Sequence, residues 1–281
     1  MNTRLLVAAD FVTLCEFLAP YRASSMFLLG NARAAGLDYR GAVYQGEYLG
    51  AFSEAGALCG LLVHYWNGNL MVQAPDHTTL HALLVRGKKD FSRHIAGVLG
   101  PDDQAVAVID YYGLSATSFA INSAEALYEL ALEKVEFSSS PSDYQCVPAG
   151  AVRETLLLRW VRAYEIEALG AAGNAALDER VKARVDALRR EDCWVLLYQG
   201  VPVSLCGINA KVEDSVQCGP VWTPPEERNK GYARMLVRLV LLHLKQLGIV
   251  TAYLFTKDPA AMRVYEAVGF KQVGTYRLAL R

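Results

Sequence analysis

Between residues 223 and 237 the sequence reads TPPEERNKGYARMLV, where Arg228, Lys230 and Arg234 gather three positive charges around one glycine, Gly231. Apolar residues recurring from Tyr232 onward predict a helix that opens at that glycine. The first turn of any helix leaves backbone N–H groups without intrahelical partners, and the helix dipole adds partial positive charge there. Such an end is an anion site. Gly231 permits a positive φ or a close backbone approach, Ala233 keeps the neighbouring side chain small, and a diphosphate suits the arrangement better than a single carboxylate. The competing reading is a tight turn at Gly231 with solvated basic residues. Neither G-x-G-x-x-G after a strand nor G-K-[ST] opening a helix occurs here.

A second chemically suggestive run is KDPAAMRVYEAVGF, residues 257–270. Asp258 suits an N-cap, Pro259 the first helical turn and Gly269 the C-terminal exit, which predicts a helix from Pro259 to Val268. Met262, Val264, Val268 and Phe270 are expected in the core, with Tyr265 pointing elsewhere. Glu213 and Asp214, in a turn before a strand, are candidate bases whose alternative is simple solvation. Cys218 is a candidate acyl carrier, with packing as the stronger alternative for a strand cysteine lacking a neighbouring histidine. His77 and His81, four apart on a predicted helix, have no third ligand in register, so no metal is expected.

These candidates need elements to hold them. The run EFSSSPSDYQ interrupts apolar, periodic sequence on both sides, which predicts domains at 1–136 and 144–281 with a linker at 137–143. In the first half, ADFVTLCEFLAPY and SSMFLLGNARAAG predict helices. GALCGLLVHYWNGNLMVQAP predicts two strands joined at Asn67-Gly68, and AVAVIDYY a buried strand. In the second, helices are expected in GAVRETLLLRWVRAYEIEALG and LDERVKARVDALRRED, followed by strands CWVLLYQG, VPVSLCGINAKVED and SVQCGPVW. A long helix from Tyr232 to Leu247, strand IVTAYLF, the Pro259 helix and a closing KQVGTYRLAL complete it. Strand, polar turn, strand and proline exit occur in both halves, so two copies of one mixed α/β unit are expected.

The pattern Arg-x-x-Gly-x-Ala after a strand and a proline turn, followed by KDPAAMRVYEAVGF, resembles the GNAT superfamily of acyl-CoA-dependent N-acetyltransferases over Tyr144 to Arg281. The resemblance implies a mixed, splayed sheet flanked by helices, with acetyl-CoA entering between two central strands. Its pyrophosphate would lie on the loop of Arg228, Asn229, Lys230, Gly231, Tyr232, Ala233 and Arg234. Its pantetheine arm would run along the backbone of Val221, Trp222 and Thr223, since an exposed strand edge suits an amide-bearing chain. Tyr265 would protonate the departing thiolate. The family commonly has asparagine where Asp258 stands, contacting the cofactor arm; aspartate keeps an acceptor and loses a donor. The expected activity is acetyl transfer to a primary amine of a small molecule by direct attack. The alternatives are an acyl-CoA-sensing module without turnover, or a protein or peptide N-acetyltransferase. In the first half, APDHTTLHALLVRG lacks the anion-loop pattern, which suggests a degenerate copy.

Composition bounds the rest. At 281 residues and 53% hydrophobic, the chain can fill two cores, and a net charge of −1 offers no basic field for nucleic acid. Up to Glu136 there are 9 Lys and Arg against 14 Asp and Glu, and beyond it 19 against 15, so an anionic ligand belongs to the second half. Six scattered cysteines without CxxC spacing, no secretory signal and no apolar run long enough to span a bilayer predict a soluble cytoplasmic protein with no membrane partner. Its acceptor is expected to be a small-molecule amine, and a homodimer is compatible with the sequence.

Overall fold

One succession of strand, two helices, three strands, helix, strand, helix and strand occurs twice in the computed structural model, which describes residues 1–136, 142–190 and 192–281. The first round comprises β1 (Asn2–Leu5), α1 (Phe11–Leu18), α2 (Arg22–Ala35), β2 (Gly46–Phe52), β3 (Leu58–Tyr65), β4 (Asn69–Gln73), α3 (His77–Asp90), β5 (Gly97–Pro101), α4 (Asp102–Tyr112) and β6 (Ile121–Ala131). The second comprises β7 (Tyr144–Pro148), α5 (Glu154–Leu169), α6 (Ala175–Leu188), β8 (Cys193–Tyr198), β9 (Val201–Val212), β10 (Ser215–Trp222), α7 (Tyr232–Gln246), β11 (Thr251–Thr256), α8 (Pro259–Val268) and β12 (Lys271–Leu280). The repeat expected from the strand-turn-strand pattern is thus present as a whole mixed α/β fold in each round.

Contacts group Met1–Leu127 with Val273–Arg281 as one compact unit, and Tyr128–Gln272 as another. The linker expected at 137–143 lies outside the described residues except for its last two positions. In the first unit, β1, β2, β3 and β4 pair antiparallel in sequence order, β4 pairs parallel with β5, and β5 pairs antiparallel with β12. In the second, β7 to β10 pair antiparallel in sequence order and β10 pairs parallel with β11. The last strand of each round leaves its own round: β12 pairs β5, and β6 neighbours β11.

Apolar side chains explain where the helices lie. In the first unit Leu80, Leu83 and Leu84 of α3 and Val108 and Ile109 of α4 pack on Leu49, Leu62, Leu70 and Val98 of the strands. In the second, Leu157, Trp160 and Val161 of α5 and Val181, Val185 and Leu188 of α6 pack on Val195, Leu205 and Trp222. Helix α7 buries a single stripe, Leu236, Val237, Val240, Leu241 and Leu244, at the three- and four-residue spacing of a one-sided helix.

One expectation is corrected. AVAVIDYY forms the body of α4 and not a strand. Ala105, Val108 and Ile109 recur at helical spacing and are the apolar residues it buries. Asp102 and Asp103 favour the positive end of the dipole in the first turn, and Gly113 closes the helix in the left-handed conformation.

Candidate active site

The site of interest lies within the second unit, where β10 leaves β11. The two strands pair only over Ser215–Gln217 with Thr251–Tyr253. On its other side β10 stays with β9 through two register shifts, between Gln217 and Cys218 and between Cys218 and Val221. Gly219 has φ +153°, and a Cβ there would stand 2.5 Å from the Asn209 amide nitrogen, so the bulge requires glycine. The result is a strand whose last residues, Cys218 to Trp222, diverge from the parallel neighbour and offer a backbone edge.

Pro224 and Pro225 then turn the chain, and the loop reaches α7 through two left-handed residues, Asn229 at φ +62° and Gly231 at φ +82°. Asparagine tolerates that conformation and glycine is free in it. Gly231 is the N-cap of α7 and no side chain caps the helix. A Cβ on Gly231 would meet only an Arg234 guanidinium nitrogen at 4.0 Å, so the space over the helix start is open. The equivalent point in the first unit is closed: Asp76 caps α3, its carboxylate accepting from the Thr79 amide at 2.7 Å and the Thr79 hydroxyl at 2.8 Å. A carboxylate seated on those amides repels an anion, which gives the missing glycine pattern in APDHTTLHALLVRG its physical meaning.

The basic residues of the loop are engaged. Arg228 donates to the Thr223 carbonyl at 3.0 Å and to Glu167 of α5 at 3.0 Å, and its guanidinium lies 4.9 Å from the centre of the Trp222 ring. Lys230 donates to Glu227 at 2.9 Å. Arg234 is exposed on the first turn of α7. The Tyr232 side chain is buried against Tyr198 and Tyr144, at centroid distances of 5.4 and 6.4 Å, so only its backbone belongs to the loop. Ala233 is half-buried. Along the strand edge, Ser204 of β9 donates to the Trp222 carbonyl at 3.1 Å and shares a hydrogen bond with the Thr223 hydroxyl at 2.9 Å, while Val221 sits opposite Cys206.

Helix α8 runs over the residues expected, with Asp258 as its cap, accepting from the Ala260 amide at 2.9 Å, and Gly269 left-handed at its end. Val268 and Phe270 are buried as expected, but the other two core assignments and that of Tyr265 are corrected. Tyr265 is the buried residue of the helix together with Val268, whereas Met262 and Val264 are only half-buried. The stripe that faces the sheet passes through Tyr265 because Phe270, just beyond the helix, packs edge-on against its ring at 5.9 Å. Burial first, and then the neighbouring Cys206 and Cys218 thiols, the Tyr164 phenol and Asp258, push the Tyr265 hydroxyl well above the usual tyrosine range. It therefore keeps its proton at neutral pH. Cys218 is held as a neutral thiol by burial, its pKa pushed up to about 12, which fits packing and not acyl carriage.

Glu213 and Asp214 lie at the end of β10 where it is still paired with β11, remote from the opening; Asp214 there accepts the Val250 amide at 2.7 Å through its carbonyl. His77 and His81 both fall on α3 in the first unit, where His81 packs against Tyr111 at 5.9 Å. Two participants escaped the sequence reading. Glu227 could have been found three residues before Lys230; Glu167, sixty-one positions from Arg228, leaves no local signal.

Residues 155–270 match the acetyltransferase (GNAT) family. This part of the chain is a GNAT domain. The open β10 edge, the uncapped α7 start and Tyr265 all fall inside it. Solved structures extend the likeness in fold to the whole chain. A GCN5-related N-acetyltransferase from Sphaerobacter thermophilus is 15% identical, covers 100% of this chain and 95% of its own, and has a TM-score of 0.61. An acetyltransferase of the GNAT family from Colwellia psychrerythraea is 13% identical with 100% of both chains covered and a TM-score of 0.56. A tandem GNAT protein from the clavulanic acid biosynthesis pathway is 14% identical over 99% of this chain and 98% of its own, with a TM-score of 0.56. No curated protein matches the sequence. Among the described residues no helix is long and apolar enough to cross a membrane.

Proposed function

We propose that the second unit transfers an acetyl group from acetyl-CoA to a primary amine of a small molecule by direct attack. The observation that carries the reading is the continuity of an opened strand edge with an uncapped helix start: β10 parts from β11 after Gln217, and nine residues beyond its last residue Gly231 stands as the N-cap of α7. That geometry would suit a ligand with an amide-bearing arm and a diphosphate. The amides from Gly231 to Arg234 would take the diphosphate, Arg234 would add charge, and the edge from Val221 to Thr223 would take the arm. When bound, acetyl-CoA supplies an activated acetyl thioester.

The chain's own residues then have defined work. A backbone N–H near Val221 or Trp222 polarises the carbonyl, and Tyr265, kept protonated by burial, offers its hydroxyl hydrogen to the developing thiolate. The first unit lends structure and not cofactor binding, because Asp76 occupies the helix start that would be needed. All six cysteines are free thiols, which supports work in the reducing cytoplasm.

Thiol release from acetyl-CoA across a panel of small amines, alongside CoA calorimetry, tests this. Release with at least one amine supports it. Tight CoA binding without release for any acceptor points to a sensing module, and absence of CoA binding removes the loop from the reading.

A further inference from the structure

The second unit contains a cluster of donors that its fold does not use. Glu165 on α5 is 4% exposed, and two arginines of α6 approach it, Arg180 at 3.4 Å and Arg184 at 3.5 Å. Two guanidiniums against one carboxylate leave one positive charge over, and separations beyond about 3.2 Å leave most of their N–H groups unspent. The Nε of Arg184 is buried with no hydrogen-bond partner among the described residues, and so are the indole N–H groups of Trp160 and Trp222. The two tryptophans are 3% and 5% exposed, so bulk water does not reach their indole N–H groups, whereas the Arg184 side chain is 30% exposed and only its Nε is shielded.

Two of these residues meet on one ring, and the third is its neighbour on α5. Arg184 lies 5.8 Å from the centre of the Tyr164 ring, and that ring is 6.3 Å from Trp222. Trp160 sits one helical turn before Tyr164, on the same face of α5. Trp222 is the last residue of the opened strand, and the phenols of Tyr164 and Tyr265 are electrostatic neighbours. The cluster therefore borders the candidate active site on its α5–α6 side. Its unpartnered groups, Arg184 Nε and the two indole N–H groups, all donate, two arginines outweigh the one Glu165 carboxylate, and an acceptor-only anion with two oxygens is the complementary group.

We propose that the amine acceptor carries a carboxylate, and that Arg184, with the Trp160 and Trp222 indoles, recognises it. The inference rests on the acetyl-transfer reading and narrows its acceptor to amino-acid-like molecules.

The test uses the proteinogenic amino acids, their C-terminal amides and the decarboxylated amines. Each is titrated calorimetrically with saturating CoA present, and separately assayed for thiol release from acetyl-CoA. At least one free carboxylate is expected to bind about tenfold or more tighter than its amide. Arg184→Gln and Trp160→Phe should each erase that preference while CoA affinity stays as in the parent. Equal binding of acids and amides, a preference that survives in a folded Arg184→Gln variant, or no binding of any probe would overturn the proposal. Binding of the acid without thiol release leaves the recognition site standing and removes the transfer reading, so the two fail separately.

Discussion

Arg228 of the proposed anion loop donates to Glu167 of α5 at 3.0 Å, so one of the loop's cations is partly neutralised by a neighbouring helix. Both side chains are more than a third exposed, and a pair of that kind contributes only about 0.2–1 kcal/mol. Glu167→Gln should release Arg228 and tighten CoA binding by about two- to fivefold, read by calorimetry at low salt. Weakened binding would mean that Glu167 instead holds the loop in its binding shape.

Gly231 caps α7 at φ +82°, with open space around it. Gly231→Glu should abolish CoA binding by adding bulk and like charge at the helix start. Gly231→Ala meets no clash but must hold a left-handed φ, which costs about 1 kcal/mol, so a lower melting temperature with residual CoA affinity is expected. Unchanged affinity in Gly231→Glu would remove the loop from the site.

Tyr265 retains its proton far above neutral pH. A raised pKa means that the protonated form persists until the pH passes the raised value. Tyr265→Phe is therefore expected to lower kcat by about a hundredfold or more at every pH, leaving the shape of the alkaline limb unchanged. A parent enzyme that lost activity near pH 10, with the loss absent in the variant, would contradict this assignment.

His64 in β3 is fully buried, its Nε2 meeting the His94 carbonyl at 3.3 Å and its Nδ1 lying 4.0 Å from Glu47 without a hydrogen bond. Burial first, then Arg93, lowers its pKa, and Glu47 only partly offsets this. With the folded pKa below the unfolded value of about 6.5, the unfolded chain takes up more protons as pH falls through that point, and stability is lost. The melting temperature should fall between pH 7 and 5, and fall less in His64→Phe. Parallel melting curves for the two proteins would rule out His64 as the titrating group.

The fold was legible where local chemistry is decisive. Asp258, Pro259 and Gly269 set α8 to the residue, and Pro224 with Gly231 set the exit of β10 and the start of α7. Helix α4 was misread because Ala105 to Tyr112 is apolar enough for a buried strand, and only the three- and four-residue recurrence distinguishes it. The sequence leaves Tyr265 out of the core because period alone does not say which side of α8 meets the sheet; Phe270, beyond the helix, decides that. The partners of Arg228 and Arg184 come from other helices and leave no trace in linear spacing.

Strand β12 gives Tyr276 to Leu280 to β5, and residues 273–281 count among the first unit's contacts. A chain ending at Gln272 should lose the protease resistance of Met1–Leu127, with the damage appearing far from the cut in sequence. A first unit that kept its protection would show β12 to be dispensable.

On the ribosome, the same pairing sets a schedule. The edge of β5 waits for its β12 neighbour until residues 276–280 have been added, so the first unit is completed only after the residues of the second have been made. Folding of the first unit strictly ahead of the second would leave β5 without the neighbour that residues 276–280 supply.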